Sequence, residues 1–175
     1  MKKTLLAGGA ILGIIALIGS GGYFYIQQSF SKSAEEEITA AAQVITDREV
    51  ETEVEEVSKE SNAGGSEEDM DEKRIQKYVH LMTHQKVEAK EKWGAVEITP
   101  ENIENLLTIV EMNQDQYEHA EYYKEVLTQW QKGDFSNAVE VHNYIWQLNG
   151  GTVGRATGLL DEAEEQAYIK KHFKD

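Results

Sequence analysis

The stretch TPENIENLLTIVEMNQDQYEHAEYYKEVLTQWQKGDFSNAVEVHNYIWQL, residues 99–148, reads as three helices in succession. Thr99 supplies an N-cap oxygen, Pro100 a φ already fixed near the helical value, and Glu101 a negative charge beside the free N–H groups of the first turn. Ile103, Leu106, Leu107 and Val110 follow at three- and four-residue spacing, which places them on one face. Asp115 then predicts the cap of a second helix carrying Tyr117, Ala120, Tyr123, Leu127 and Trp130, with Gly133 relieving the chain past its end. Asp134 or Ser136 begins a third, whose Ala138, Val141 or His142, Ile145 and Leu148 face a core before Gly150-Gly151 stops it.

Outward from this stretch the same periodicity continues. Ile75, Tyr78, Val79 and Met82 form a stripe that extends to Ala89 and Trp93 before Gly94 interrupts it. At the other end, Asp161 and Glu164 make a capping pair, and Lys170, Lys171 and His172 sit at the negative end of a helix from Asp161 to His172. Residues 93–99 have room for one short strand but offer it no partner, so the expected fold class is all-α, a C-terminal bundle of about five helices over residues 73–175. The Gly133-Asp134-Phe135 turn with Ala138 is similar to one turn of a tetratricopeptide unit, yet no second unit follows, and it reads as a generic helical hairpin.

Upstream the composition changes twice. Residues 4–26 carry no charge and, as a helix of about 34 Å, suffice to cross a bilayer. Lys2 and Lys3 precede this run, and Tyr23, Phe24 and Tyr25 close it with rings suited to a headgroup boundary, so residues 1–30 are expected to be an uncleaved membrane anchor with a cytoplasmic N-terminus. A cleaved signal peptide is the competing reading. Residues 31–72 hold 15 acids against 3 bases and no aromatic residue, which predicts a largely disordered or partly helical linker that forms no globular core. Ser33 and Glu36 fit a capping box there, and Ile38, Ala41, Ala42 and Ile45 share one helical face. The acids lack the spacing of a calcium loop.

The chain has a net charge of −15 and no cysteine. A thiol nucleophile, a disulfide framework and Cys-ligated zinc or iron–sulfur are thereby excluded, and nucleic acid is disfavoured as a partner because its phosphates demand a concentrated basic patch. His80 and His84, four residues apart on one helical face, are half of a metal site; without the glutamate of the HExxH pattern they read first as solvent-facing, with Glu91, His119 or His142 as the groups that would have to complete a site. His142, Asn143, Trp146 and Arg155 are the binding candidates, placed by the densest local signature, residues 133–160. No serine–histidine–acid or paired-carboxylate constellation is present, so neither an enzyme nor a cofactor is expected.

His142-Asn143-x-x-Trp146, followed by Gly150-Gly151-Thr152-Val153-Gly154 and Gly158-Leu159-Leu160, resembles a domain-of-unknown-function family of small membrane-anchored proteins of Gram-positive bacteria, over roughly residues 73–170. The resemblance implies a bacterial cell-surface setting and assigns no catalytic residue. The functional expectation is a single-pass membrane protein presenting a helical interaction domain outside the cytoplasm to an unknown protein or envelope partner. A metal-dependent surface enzyme using His80 and His84, and a structural envelope component, are the alternatives.

Overall fold

A computed structural model of the chain describes residues 30–45 and 70–174. Residues 30–45 are helical (α1). They are followed by α2 (Glu72–Thr83), β1 (Val87–Ala89), α3 (Pro100–Met112), α4 (Ala120–Gln131), α5 (Ala138–Leu148), β2 (Ala156–Leu159) and α6 (Glu162–His172). The apolar run at residues 4–26 lies outside the described residues; among those described, no helix is long and apolar enough to cross a membrane.

Two of the local start signals, at α3 and α6, act as read. The Thr99 hydroxyl accepts from the Asn102 N–H at 3.0 Å with Pro100 in the first turn. Asp161 and Glu164 exchange side-chain and backbone bonds in a complete capping box. At α5 neither Asp134 nor Ser136 caps the helix, which begins at Ala138 after Asn137; Asp134 instead accepts from the Ser136 N–H at 3.0 Å in the preceding turn. α4 departs from expectation: Asp115 does not cap it, and the helix begins at Ala120. A carboxylate from another helix does that work, Glu72 accepting from the Glu118 and His119 N–H groups at 2.9 Å and from the Tyr123 hydroxyl. This is an N-terminal cap made in three dimensions, with the charge where the helix dipole favours it.

The chain is mostly helical, and the all-α expectation is corrected by a small sheet. β1 and β2 pair antiparallel, Val87 opposite Leu159 and Ala89 opposite Ala156, with a register shift between Glu88 and Ala89. Three and four residues are too short to show an alternating pattern, and the partners lie about 70 residues apart, so no hairpin signal exists. The stripe of α2 consequently ends at Thr83 instead of continuing to Ala89 and Trp93, and residues 93–99 carry neither helix nor strand.

α3 packs on α4, α2 on α5, and both strands on α5. Their shared core centres on Ile75, Tyr78, Met82, Leu106, Tyr123, Leu127, Trp130 and Ile145. Leu148, expected in the core, is instead exposed at the end of α5. α1 also differs from the linker reading: residues 30–32 are already helical, so Ser33 is not its cap, and Ala34, Ile38, Ala41, Ala42 and Ile45 are buried in the same core. Glu37 on its flank pairs with Arg74 at 2.8 Å and accepts from the Tyr78 hydroxyl. A stretch too acidic to form a core of its own contributes one apolar face to a core that α2 and α3 already supply.

Candidate metal centre

Packing of α2 on α5 brings together three imidazoles that the sequence separates. His80 lies in the last turn of α2, His84 caps its C-terminus, and His142 projects from the middle of α5. The His80 and His142 rings stack at 4.2 Å between centroids, and the His80 and His84 rings meet edge to face at 4.9 Å. One nitrogen from each ring lies within 4.8 Å of the others. The His80 and His84 Nε2 atoms are 3.3 Å apart. A tetrahedral ion with arms of 2.0–2.1 Å holds its ligand atoms at about that separation, roughly 3.3 Å. The expectation that His80 and His84 face solvent is therefore not met: His84 is 2% exposed and His142 1%, because α5 and the segment after α2 cover that side of the helix.

Partners around the rings fix how each can donate. His84 Nδ1 lies 2.8 Å from the Gly94 carbonyl, so its proton belongs there and its Nε2 lone pair faces the cluster. His142 is pinned at both ends, Nδ1 at 2.9 Å from the Thr83 hydroxyl and Nε2 at 3.0 Å from the Gly154 carbonyl, while the Thr83 hydroxyl also reaches the His80 carbonyl. Those three contacts call for three protons, and a neutral imidazole with one hydroxyl supplies two. His80 Nδ1 is buried with no partner among the described residues. A cation at the centre of the cluster would relieve this shortage by turning surplus lone pairs into ligands.

The electrostatics hold the rings in the ligand-ready state. Burial, and then the neighbouring His142, push His80 down to about 4; burial and the neighbouring His80 push His84 down to about 3; burial also lowers His142. All three are neutral at pH 7, the form that binds metal. For the metal-free chain the sign follows directly. In the unfolded chain the histidines take up protons near their ordinary value of 6.5, whereas the folded chain resists until lower pH. Their contribution is thus complete above 6.5 and is lost as pH falls from there towards 4, at up to about 1.4 kcal/mol per pH unit for each ring. Urea midpoints of chelator-treated protein should drop between pH 7.5 and 5.5, and a flat profile would contradict the buried neutral cluster.

The cluster forms the floor of a pocket of about 250 Å³ walled by Glu91, Trp93, Trp146 and the Gly150–Gly154 loop. Of the binding candidates read from sequence, His142 and Trp146 line it, whereas Asn143 and Arg155 do not. Asn143 holds β2 in place, its amide donating to the Ala156 carbonyl at 3.1 Å and accepting from the Ala156 N–H at 2.8 Å. Arg155 is exposed. His119, another prospective ligand, sits elsewhere against Tyr144 and Tyr123. Trp146 donates its indole N–H to the Val153 carbonyl at 2.8 Å and lies flat on Gly151, where a Cβ would stand 2.3 Å from two of its ring carbons. Gly151→Ala must expel the indole; we expect a loss of about 1–3 kcal/mol and a red shift in tryptophan emission, and an unshifted spectrum would contradict this packing. Gly154 is equally constrained, with φ +89° and the Glu91 carbonyl 2.6 Å from where a Cβ would lie.

Residues 79–170 match a family described as a family of unknown function, DUF6241, and that span includes all three histidines. No curated protein and no solved structure shows significant similarity to the chain.

Proposed function

We propose, for a chain that belongs to the DUF6241 family of unknown function, that its folded domain binds one divalent transition-metal ion of the zinc class through His80, His84 and His142. The observation that carries this reading is the convergence of three neutral imidazoles on one point, His84 and His142 buried and His80 half-buried, with His80 and His84 already at tetrahedral ligand spacing. Nitrogen-only, neutral donors favour zinc, copper or nickel over magnesium or calcium, which take oxygen. The broader interaction role inferred from sequence is narrowed accordingly: the first ligand of this domain is a metal ion.

We further propose that the domain is displayed outside the cytoplasm of a Gram-positive bacterium, tethered by residues 4–26. Support comes from the uncharged run, the lysines before it and the aromatic residues that end it. In this arrangement α1 follows the anchor closely and packs on the domain, which keeps the metal-binding unit near the membrane. Reporter fusions before Lys2 and after Asp175 test the topology; a cytoplasmic C-terminus would exclude it. Equilibrium dialysis of the full-length protein in detergent against zinc, with elemental analysis, tests the metal reading. One ion per chain is expected, and a content unchanged by replacing His84 or His142 with alanine would overturn it.

A further inference from the structure

Building on that metal reading, we infer that the centre is open: a bound ion keeps one position for an exchangeable ligand from outside the chain, a water or the carboxylate group of a small anion. A zinc-class ion takes four donors, and structural sites draw all four from protein. Here only three side chains converge; no fourth histidine or carboxylate joins the group among the described residues, and the chain has no cysteine. The three come from α2 and α5 alone. The cluster meets the pocket, whose wall is the Gly150–Gly154 loop together with Glu91, Trp93 and Trp146.

Charge then selects what enters. Three neutral imidazoles leave the ion's two positive charges uncompensated, and an anionic donor is preferred where little water shares the site. Lys92, which lies close enough to influence His84 and His142, does not compete for that anion. Its ammonium is committed to the His84 and Val87 carbonyls at 3.0 and 2.9 Å and lies over the Tyr168 ring. The pocket volume of about 250 Å³ admits a group of several heavy atoms, and Trp93, 68% exposed beside it, offers an apolar surface to the remainder of such a ligand. Glu91 is the one carboxylate among the described residues on this pocket and is the internal rival for the same position.

Cobalt distinguishes these cases, because its visible bands report coordination number and donor type. Full-length protein in detergent is loaded with Co²⁺ and titrated with acetate and, separately, thiocyanate, as wild type and as Glu91→Gln. We expect a saturable band shift with one anion per ion in both proteins. Bound Co²⁺ whose bands ignore both anions in both proteins would overturn the open site while leaving the metal reading standing. Insensitivity in the wild type with response in Glu91→Gln would overturn it in favour of Glu91 as fourth ligand. Failure to bind Co²⁺ or Zn²⁺ at all would overturn the metal centre itself, and the open site with it.

Discussion

His80→Ala is expected to weaken zinc binding by at least about 100-fold while leaving the fold intact. Losing an outer-shell partner of a metal ligand already costs about 10–100-fold, and His80 is a direct donor in this reading. It is also the ligand whose removal disturbs the fold least. His84 and His142 each hold a backbone carbonyl, Gly94 and Gly154 respectively, so truncating either leaves a carbonyl without its donor. His80 Nδ1 has no partner to lose among the described residues, and the ring is half-buried instead of enclosed. Competition titration against a chromophoric chelator gives the affinity, and urea denaturation of metal-free protein gives the stability. Unchanged zinc affinity in a folded variant would show that the three rings only pack.

How far the sequence anticipates this follows from the distance over which each feature is encoded. α3 and α6 are legible because their caps, Thr99 with Pro100 and Asp161 with Glu164, act within three residues. The face of α1 is legible too, as Ile38, Ala41, Ala42 and Ile45, but its burial depends on α2 and α3, and the acidity around it argued the other way. β1 and β2 leave no signal because neither is long enough to alternate. The metal centre falls between these cases. His80 and His84 show helical spacing, and His142 stands in the densest motif, yet nothing local links them across nearly 60 residues. The link is the packing of α2 on α5, whose Thr83 hydroxyl meets His142 Nδ1. Asn143 illustrates the converse: a polar residue beside a glycine-rich segment invites a pocket reading, and its amide is consumed in holding β2.

Trp130→Ala is expected to cost about 3–5 kcal/mol of stability. The side chain is 1% exposed in the core, tilted against Phe135 at 5.9 Å between ring centroids, and its indole N–H donates to Asn137 Oδ1 at 2.8 Å. Asn137 immediately precedes α5, so this one residue both fills the centre of the core and fixes where α5 starts. Trp130→Phe separates the two roles: it retains most of the volume and loses the bond, at about 1 kcal/mol. Zinc provides the decisive comparison. An ion shared by α2 and α5 stabilises the native state by RT ln(1 + [L]/Kd), about 2.7 kcal/mol at 100 times Kd. If α5 keeps its place on α2, zinc should raise the melting temperature of Trp130→Ala as it does that of the wild type. If Trp130 positions α5 for the centre, the zinc increment shrinks with the truncation and is recovered in Trp130→Phe only as far as the helix start tolerates the missing bond. Because Trp130 lies outside the pocket, a reduced increment would trace metal affinity to the packing that holds His142 against His80 and His84.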